Sequence, residues 1–206
     1  MFIRVKRIKK QEYAYKVRNR WTRKGTRQVI VGYLGRIYRL QPLEHHQDLT
    51  FETFLSEHNY SNKAKIKDFK AYLAKVSSKE LIKDLIRYEL FKHGFRMSTN
   101  GLHLRMNMES ETSNILHINL SEIGVADSTK PVVLAMNNDF LCSYTLRKLL
   151  KFKSLSDEDE CGKELAQAFV SAGIAVVPDT FVHAFNKVFS ESGMSYVKSS
   201  GNQNET

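Results

Sequence analysis

Between Glu12 and Trp21 the chain alternates: Tyr13, Tyr15, Val17 and Trp21 fall on one parity, Lys16, Arg18 and Arg20 on the other. A period of two with aromatic and β-branched residues on one side is the pattern of a half-buried β-strand and does not fit the 3.6-residue period of a helix. Phe2 to Lys9 repeats the signal more weakly, and Gly25 supplies the residue that a hairpin with a bulge or short loop wants at positive φ. Arg27 to Leu34 is apolar on both parities, as in a central strand, until Gly35 interrupts it before Arg36 to Leu40. The first 42 residues therefore read as a small antiparallel β-meander.

That meander carries the charge of the whole protein. The chain has 206 residues, 32 Lys+Arg and 22 Asp+Glu, a formal net charge of +10. Thirteen of the cations and one acid, Glu12, lie in the first 40 residues, giving +12 there and −2 in the remainder. A local excess of this size repels itself and exceeds what solubility needs, which points to a polyanionic partner. With 42% hydrophobic and 11% aromatic residues the chain has enough apolar material for a core, so it is no disordered polycation.

After Gln41-Pro42 and a polar run to Asp48, read as a linker, the pattern becomes mixed. Asn62 to Val76 has a helical stripe. Ser77 to Glu80 forms a capping-box signature ahead of Leu81, Ile82, Leu85, Ile86 and Phe91, closed by Gly94. Strands follow around the Asn100-Gly101 turn signal, at Asn114 to Leu120 and at Pro131 to Met136. Three helices are expected at the end, near Asp139–Phe152, Ser156–Ala172 and Asp179–Phe189. The fold class is α+β: a β module of residues 1–42, a mixed domain of residues 43–198 ending in three helices, and a disordered tail over 199–206.

Nucleic-acid backbones bind Lys and Arg through counterion release, and aromatic rings on a sheet stack on unpaired bases. The candidate contacts are Lys16, Arg18, Arg20, Arg23, Lys24, Arg27, Arg36 and Arg39. Tyr13, Tyr15 and Trp21 are the candidate stacking platforms, although burial of one strand face would assign them to the core. Arg147, Lys148, Lys151 and Lys153, at the end of a predicted helix, form a second basic patch. There they meet the helix dipole, and they extend the first surface if that helix lies beside the sheet.

Other chemistry finds little support. Asp157 to Glu160 and Asn137 to Asp139 read as helix caps rather than as metal ligands. The seven histidines lack ligand spacing, and no phosphate loop, nucleophile elbow or dinucleotide fingerprint occurs. Cys142 and Cys161 are too few for a disulfide framework and read as buried thiols of a reducing compartment. No cofactor or metal is expected. No apolar run approaches the roughly 18–20 residues of a membrane span. The expected location is the cytoplasm.

Tyr13 to Val17, followed by Lys24-Gly25-Thr26-Arg27-Gln28-Val29-Ile30-Val31-Gly32-Tyr33-Leu34-Gly35-Arg36, resembles the short N-terminal module of DDE-type insertion-sequence transposases. The resemblance covers residues 12–36 and implies a nucleic-acid-associated β module. In those transposases the module precedes a long catalytic domain with three spaced carboxylates, a set that cannot be placed in the rest of this chain.

The expectation drawn from these features is a non-catalytic protein that binds nucleic acid, structured or ribosomal RNA before DNA, because no base-reading helix-turn-helix is evident. The body would pair with a second copy or with a ribonucleoprotein partner. The alternatives are a transposase-derived DNA-binding protein, with Tyr88 to Met106 as a helix and wing, and a metal-dependent nucleic-acid enzyme using carboxylates among Asp127, Asp139, Glu158 and Asp159.

Overall fold

A computed structural model describes residues 1–46, 48–57, 68–98, 101–106, 114–127, 130–153 and 157–191. The architecture is α+β, as the pattern implies. The elements run β1 (Phe2–Ile8), β2 (Gln11–Thr22), β3 (Gly25–Arg39), α1 (Phe51–Glu57), α2 (Phe69–Lys75), α3 (Ser78–Lys92), β4 (Arg96–Ser98), β5 (Gly101–Met106), β6 (Asn114–Asn119), β7 (Gly124–Asp127), β8 (Lys130–Met136), β9 (Asp139–Leu141), α4 (Ser143–Leu150), α5 (Glu158–Ser171) and α6 (Pro178–Glu191).

One sheet runs β1-β2-β3-β8-β7-β6-β5-β4, with β9 also paired to β8. Every pairing is antiparallel except β3 with β8, where Arg36 to Arg39 lie opposite Val132 to Ala135. That parallel seam joins the N-terminal meander to the body. At the seam an added Cβ on Gly35, whose φ is +132°, would lie 2.2 Å from the Pro131 carbonyl oxygen, so only glycine fits there.

The alternation of β8 sorts the interior into two layers. Val132, Leu134 and Met136 join Tyr38, Phe54, Leu81, Leu85, Leu90, Leu146 and Leu165 in the main core beneath the helices. Val133 and Ala135 join Ala14, Ile37 and Cys142 in a smaller core on the opposite face, bordered by Ile3, Val5, Leu34, Phe140 and Tyr144. Helix α3 anchors the main layer. Ser77 caps it by accepting from the Glu80 N–H at 3.3 Å, and each of its fully buried Leu and Ile side chains contributes about 1.5–3 kcal/mol.

Three expectations change. The run Asp139–Phe152 is not one helix: Asn137 and Asn138, with φ of 49° and 64°, make the two-residue turn between β8 and β9, and Cys142 precedes α4. Asparagine tolerates left-handed backbone, and a turn of this type needs two such residues in succession. The stretch read as a linker is tied down. Leu40 N–H donates to the Ala135 carbonyl and Leu43 N–H to the Lys92 carbonyl, and His46 stacks on Phe91. The hairpin of β4 and β5 is no free wing, since β5 pairs with β6 inside the sheet. The helical stripe over Asn62–Lys67 and the tail 199–206 lie outside the described residues.

Candidate nucleic-acid interface

Strand β3 is longer than its partner, and the excess shapes the site. The register steps from Ala14–Gly35 to Tyr15–Tyr33 and from Lys16–Gly32 to Val17–Ile30, leaving Leu34 and Val31 as extra residues on β3. Two bulges so close together bend a strand pair and increase its twist. Pairing of β1 ends at Phe2–Val17, and the seam with β8 begins only at Arg36. Residues 18–29 consequently continue as a two-stranded ribbon with no third strand on either side.

The ribbon is paired from Arg18–Val29 to Thr22–Gly25, five rungs or roughly 17 Å of strand. Arg23 and Lys24 form its tip, where the Thr22 hydroxyl donates to the Gly25 carbonyl at 2.7 Å and Gly25 takes a φ of +102°. Arg18, Arg20, Arg23, Lys24 and Arg27 are all exposed here, and the segment contains no acid. Arg20 and Arg27 are direct partners across the ribbon. Like charges directly opposite are destabilising, so the isolated ribbon carries an electrostatic cost that a bound anion would relieve.

The two faces of the meander differ from the simplest expectation. Ala14, on the same face as Lys16, is buried in the small core, and the Lys16 ammonium lies 4.1 Å from the centroid of the Tyr144 ring on α4. Tyr13 and Tyr15 lie on the opposite face and are only half-buried. They gather around Tyr33, with centroids 6.4 and 5.5 Å from its ring, and Tyr33 itself is 51% exposed. Trp21, toward the ribbon tip, is 81% exposed. Assigning this face to the core is therefore incorrect for Tyr13, Tyr15 and Trp21; of that parity only Val17 is fully buried. The cause is the length of β2 and β3, which carries the aromatic face past the helices that cover its continuation at Tyr38.

The Tyr33 hydroxyl is held above the ordinary phenol range, first by desolvation and then by its neighbours Tyr13 and Tyr15. The group is a neutral phenol across the physiological range and brings no negative charge to the face. Arg4 reaches across this side to donate to Gln28 at 2.8 Å, and the Lys6 ammonium sits 5.3 Å from the Tyr15 ring centroid. Tyr33, Lys6 and Tyr144 are additions to the predicted set. The cross-strand register places Tyr33 and Lys6, and packing of α4 against β2 places Tyr144; neither signal is visible in local alternation.

Helix α4 does lie beside the sheet. Lys148 approaches Tyr144 from the helix side at 5.9 Å, so Lys16, Tyr144 and Lys148 link the ribbon base to the second basic patch. Arg147, Lys148, Lys151 and Lys153 are exposed, with Arg147 and Lys148 in the last turn of α4. The dipole role and a shared surface are both compatible with that position. Arg36 and Arg39 stand apart from the ribbon, near the turn between β1 and β2, where Arg39 forms an ion pair with Glu12 at 2.7 Å.

The carboxylates considered for catalysis do not assemble. Asp127 accepts from the Tyr38 hydroxyl at 2.8 Å, and Asp157 caps α5 by accepting from the Glu160 N–H at 2.7 Å. Glu158 and Asp159 are exposed in the first turn behind it. Asp139 has its carboxyl pushed up by burial. Among the described residues no group of three or more His, Cys, Asp or Glu is placed to hold a metal ion. No helix among them is long and apolar enough to cross a membrane.

Comparison with models of known families, with curated proteins and with solved structures finds no match to this chain.

Proposed function

We propose that this protein binds nucleic acid through its N-terminal meander, without catalysis, and that its preferred partner is structured RNA presenting unpaired bases. One observation carries the reading: a two-stranded ribbon extends past the rest of the sheet with five cations, no acid and an arginine directly opposite an arginine. The cations suit phosphates, whose neutralisation by Lys and Arg supplies most of the sequence-independent affinity for nucleic acid. The open aromatic face supports RNA over duplex DNA, because Trp21, Tyr33, Tyr13 and Tyr15 offer π-surfaces to bases that are already splayed from a helix. The patch on α4 extends the contact by way of Lys16 and Tyr144. Cytoplasmic residence and association with a ribonucleoprotein belong to the same proposal.

Filter binding of a folded RNA at several salt concentrations tests this. The logarithm of affinity should fall linearly with the logarithm of salt, and reversal of Arg18, Arg20 and Lys24 to Glu should flatten the slope. Binding indifferent to that triple reversal would remove the ribbon from the interface, and a marked preference for plain duplex DNA would overturn the choice of RNA.

A further inference from the structure

At the end of the meander opposite the ribbon tip the cations converge. Arg7 at the end of β1, Lys10 in the turn, and Arg36 and Arg39 on β3 line a cleft of about 350 Å³ bounded by Glu12 and Ile37. Arg7 and Lys10 stand outside the set predicted from alternation; the cleft exists because the turn between β1 and β2 folds beside the end of the β3–β8 seam at Arg39.

Arg7, Lys10 and Arg39 share one carboxylate there, and Glu12 is engaged by Arg39, whose Nε donates to Oε2 at 2.9 Å. That pair holds the Arg39 guanidinium in place. Arg36 borders the cleft with its guanidinium turned to the other face of β3, 5.0 Å from the centroid of Tyr38. A guanidinium fixed by a neighbour loses less freedom when it closes on an anion, and its planar fork matches phosphate oxygens. The turn that delivers Lys10 is also strained: Lys9 and Lys10 have φ of 45° and 67°, where a turn of this kind favours Asn and Gly. A phosphate monoester, carrying about −1.5 to −2 near pH 7, matches the local excess of positive charge better than a singly charged phosphodiester. The volume lies at the small end of ligand sites, which span roughly 300–1,000 Å³.

We propose that this cleft binds the phosphate monoester of a nucleotide, carried either at the end of a nucleic-acid strand lying along the meander or by a free mononucleotide. The strand-end form rests on the nucleic-acid reading above, and the mononucleotide form does not. At the ribbon the protein takes internal phosphates by charge alone, whereas at the cleft it reads whether a phosphate is terminal.

The full chain is titrated with one folded RNA bearing a 5′-phosphate, a 3′-phosphate or only hydroxyl ends, and in parallel with adenosine monophosphate and adenosine. A phosphorylated end should bind about tenfold more tightly than a hydroxyl end, the equivalent of one charge-assisted hydrogen bond. The advantage should vanish in the Arg7→Gln, Lys10→Gln double variant. It should persist in Arg20→Glu, which weakens all forms of the RNA together. Adenosine monophosphate bound in preference to adenosine, and lost in the same double variant, assigns the site to a free nucleotide. Lys10→Gly removes a cleft cation while relieving the turn, so a reduced end preference in that variant cannot come from unfolding. RNA binding that ignores its ends, together with no discrimination between adenosine monophosphate and adenosine, overturns the cleft and leaves the nucleic-acid reading standing. Phosphate discrimination that survives the double variant also overturns it. Nucleotide binding without any RNA binding supports the cleft in its mononucleotide form and rejects the nucleic-acid reading.

Discussion

Replacing Arg20 by Glu should make the protein more stable and a poorer binder at once. In the folded chain Arg20 faces Arg27 across the ribbon and both are exposed. The substitution exchanges a repulsive cross-strand pair for an attractive one, and with solvent screening the swing is about 1 kcal/mol at low salt. For a chain of this size that corresponds to a rise in Tm of about 2–4 °C, readable by circular dichroism and shrinking as salt is added. Binding moves the other way. Loss of one phosphate contact should cost RNA affinity about tenfold and reduce the salt slope by about 0.7–0.9. Arg20→Gln, which removes the repulsion without creating an attraction, should fall between. A structural role for Arg20 gives the opposite pattern, with stability and affinity falling in parallel. A drop in Tm for Arg20→Glu, or unchanged affinity, refutes the reasoning.

Other consequences follow from single positions. Trp21→Ala should weaken RNA binding by about 1–3 kcal/mol while leaving urea unfolding unchanged, because an 81% exposed ring contributes little to the core. Gly35→Ala should destabilise by at least about 2–4 kcal/mol in the same denaturation assay, since its Cβ would meet the Pro131 carbonyl at 2.2 Å. Lys9→Asn with Lys10→Gly should stabilise by about 1–2 kcal/mol by giving the turn residues suited to left-handed backbone. Asn137→Gly retains the turn but removes the amide that donates to Glu89 Oε1 at 2.6 Å and to the Gly173 carbonyl at 2.9 Å. With Glu89 fully buried, the expected loss is about 2–4 kcal/mol, measured by thermal or urea melting.

Much of this architecture is legible in local pattern, and the exceptions share a cause. The period-two run at 12–21, the capping box at Ser77 and the apolar stripe of α3 each report a local geometry, and each has its counterpart in the fold. Asn137-Asn138-Asp139 is ambiguous because the residues that cap helices are also those that tolerate left-handed turns; the choice is made by β9 returning along β8. The two-faced apolar run Arg27–Leu34 reads as a central strand, yet it ends before the seam with β8 begins at Arg36, pairs only with β2, and leaves Ile30, Val31 and Tyr33 about half exposed. Alternation states which residues share a face and is silent on what covers that face. For the same reason the basic ribbon was visible in the charge count, while the convergence of Arg7, Lys10 and Arg39 was not. Those three residues come from two strands and a turn, and only the register of β1, β2 and β3 brings them together.

The most direct test of the interface is ultraviolet crosslinking of the full chain to a folded RNA, followed by mass spectrometry of the joined peptides. Aromatic rings stacked on bases are the groups best placed to crosslink, so the adducts should fall on Trp21, Tyr33 and Tyr15, with weaker attachment at Tyr144. Adducts confined to α5, α6 or the strands β4 to β7, with none in residues 1–42, would contradict the account and assign nucleic-acid contact to the body.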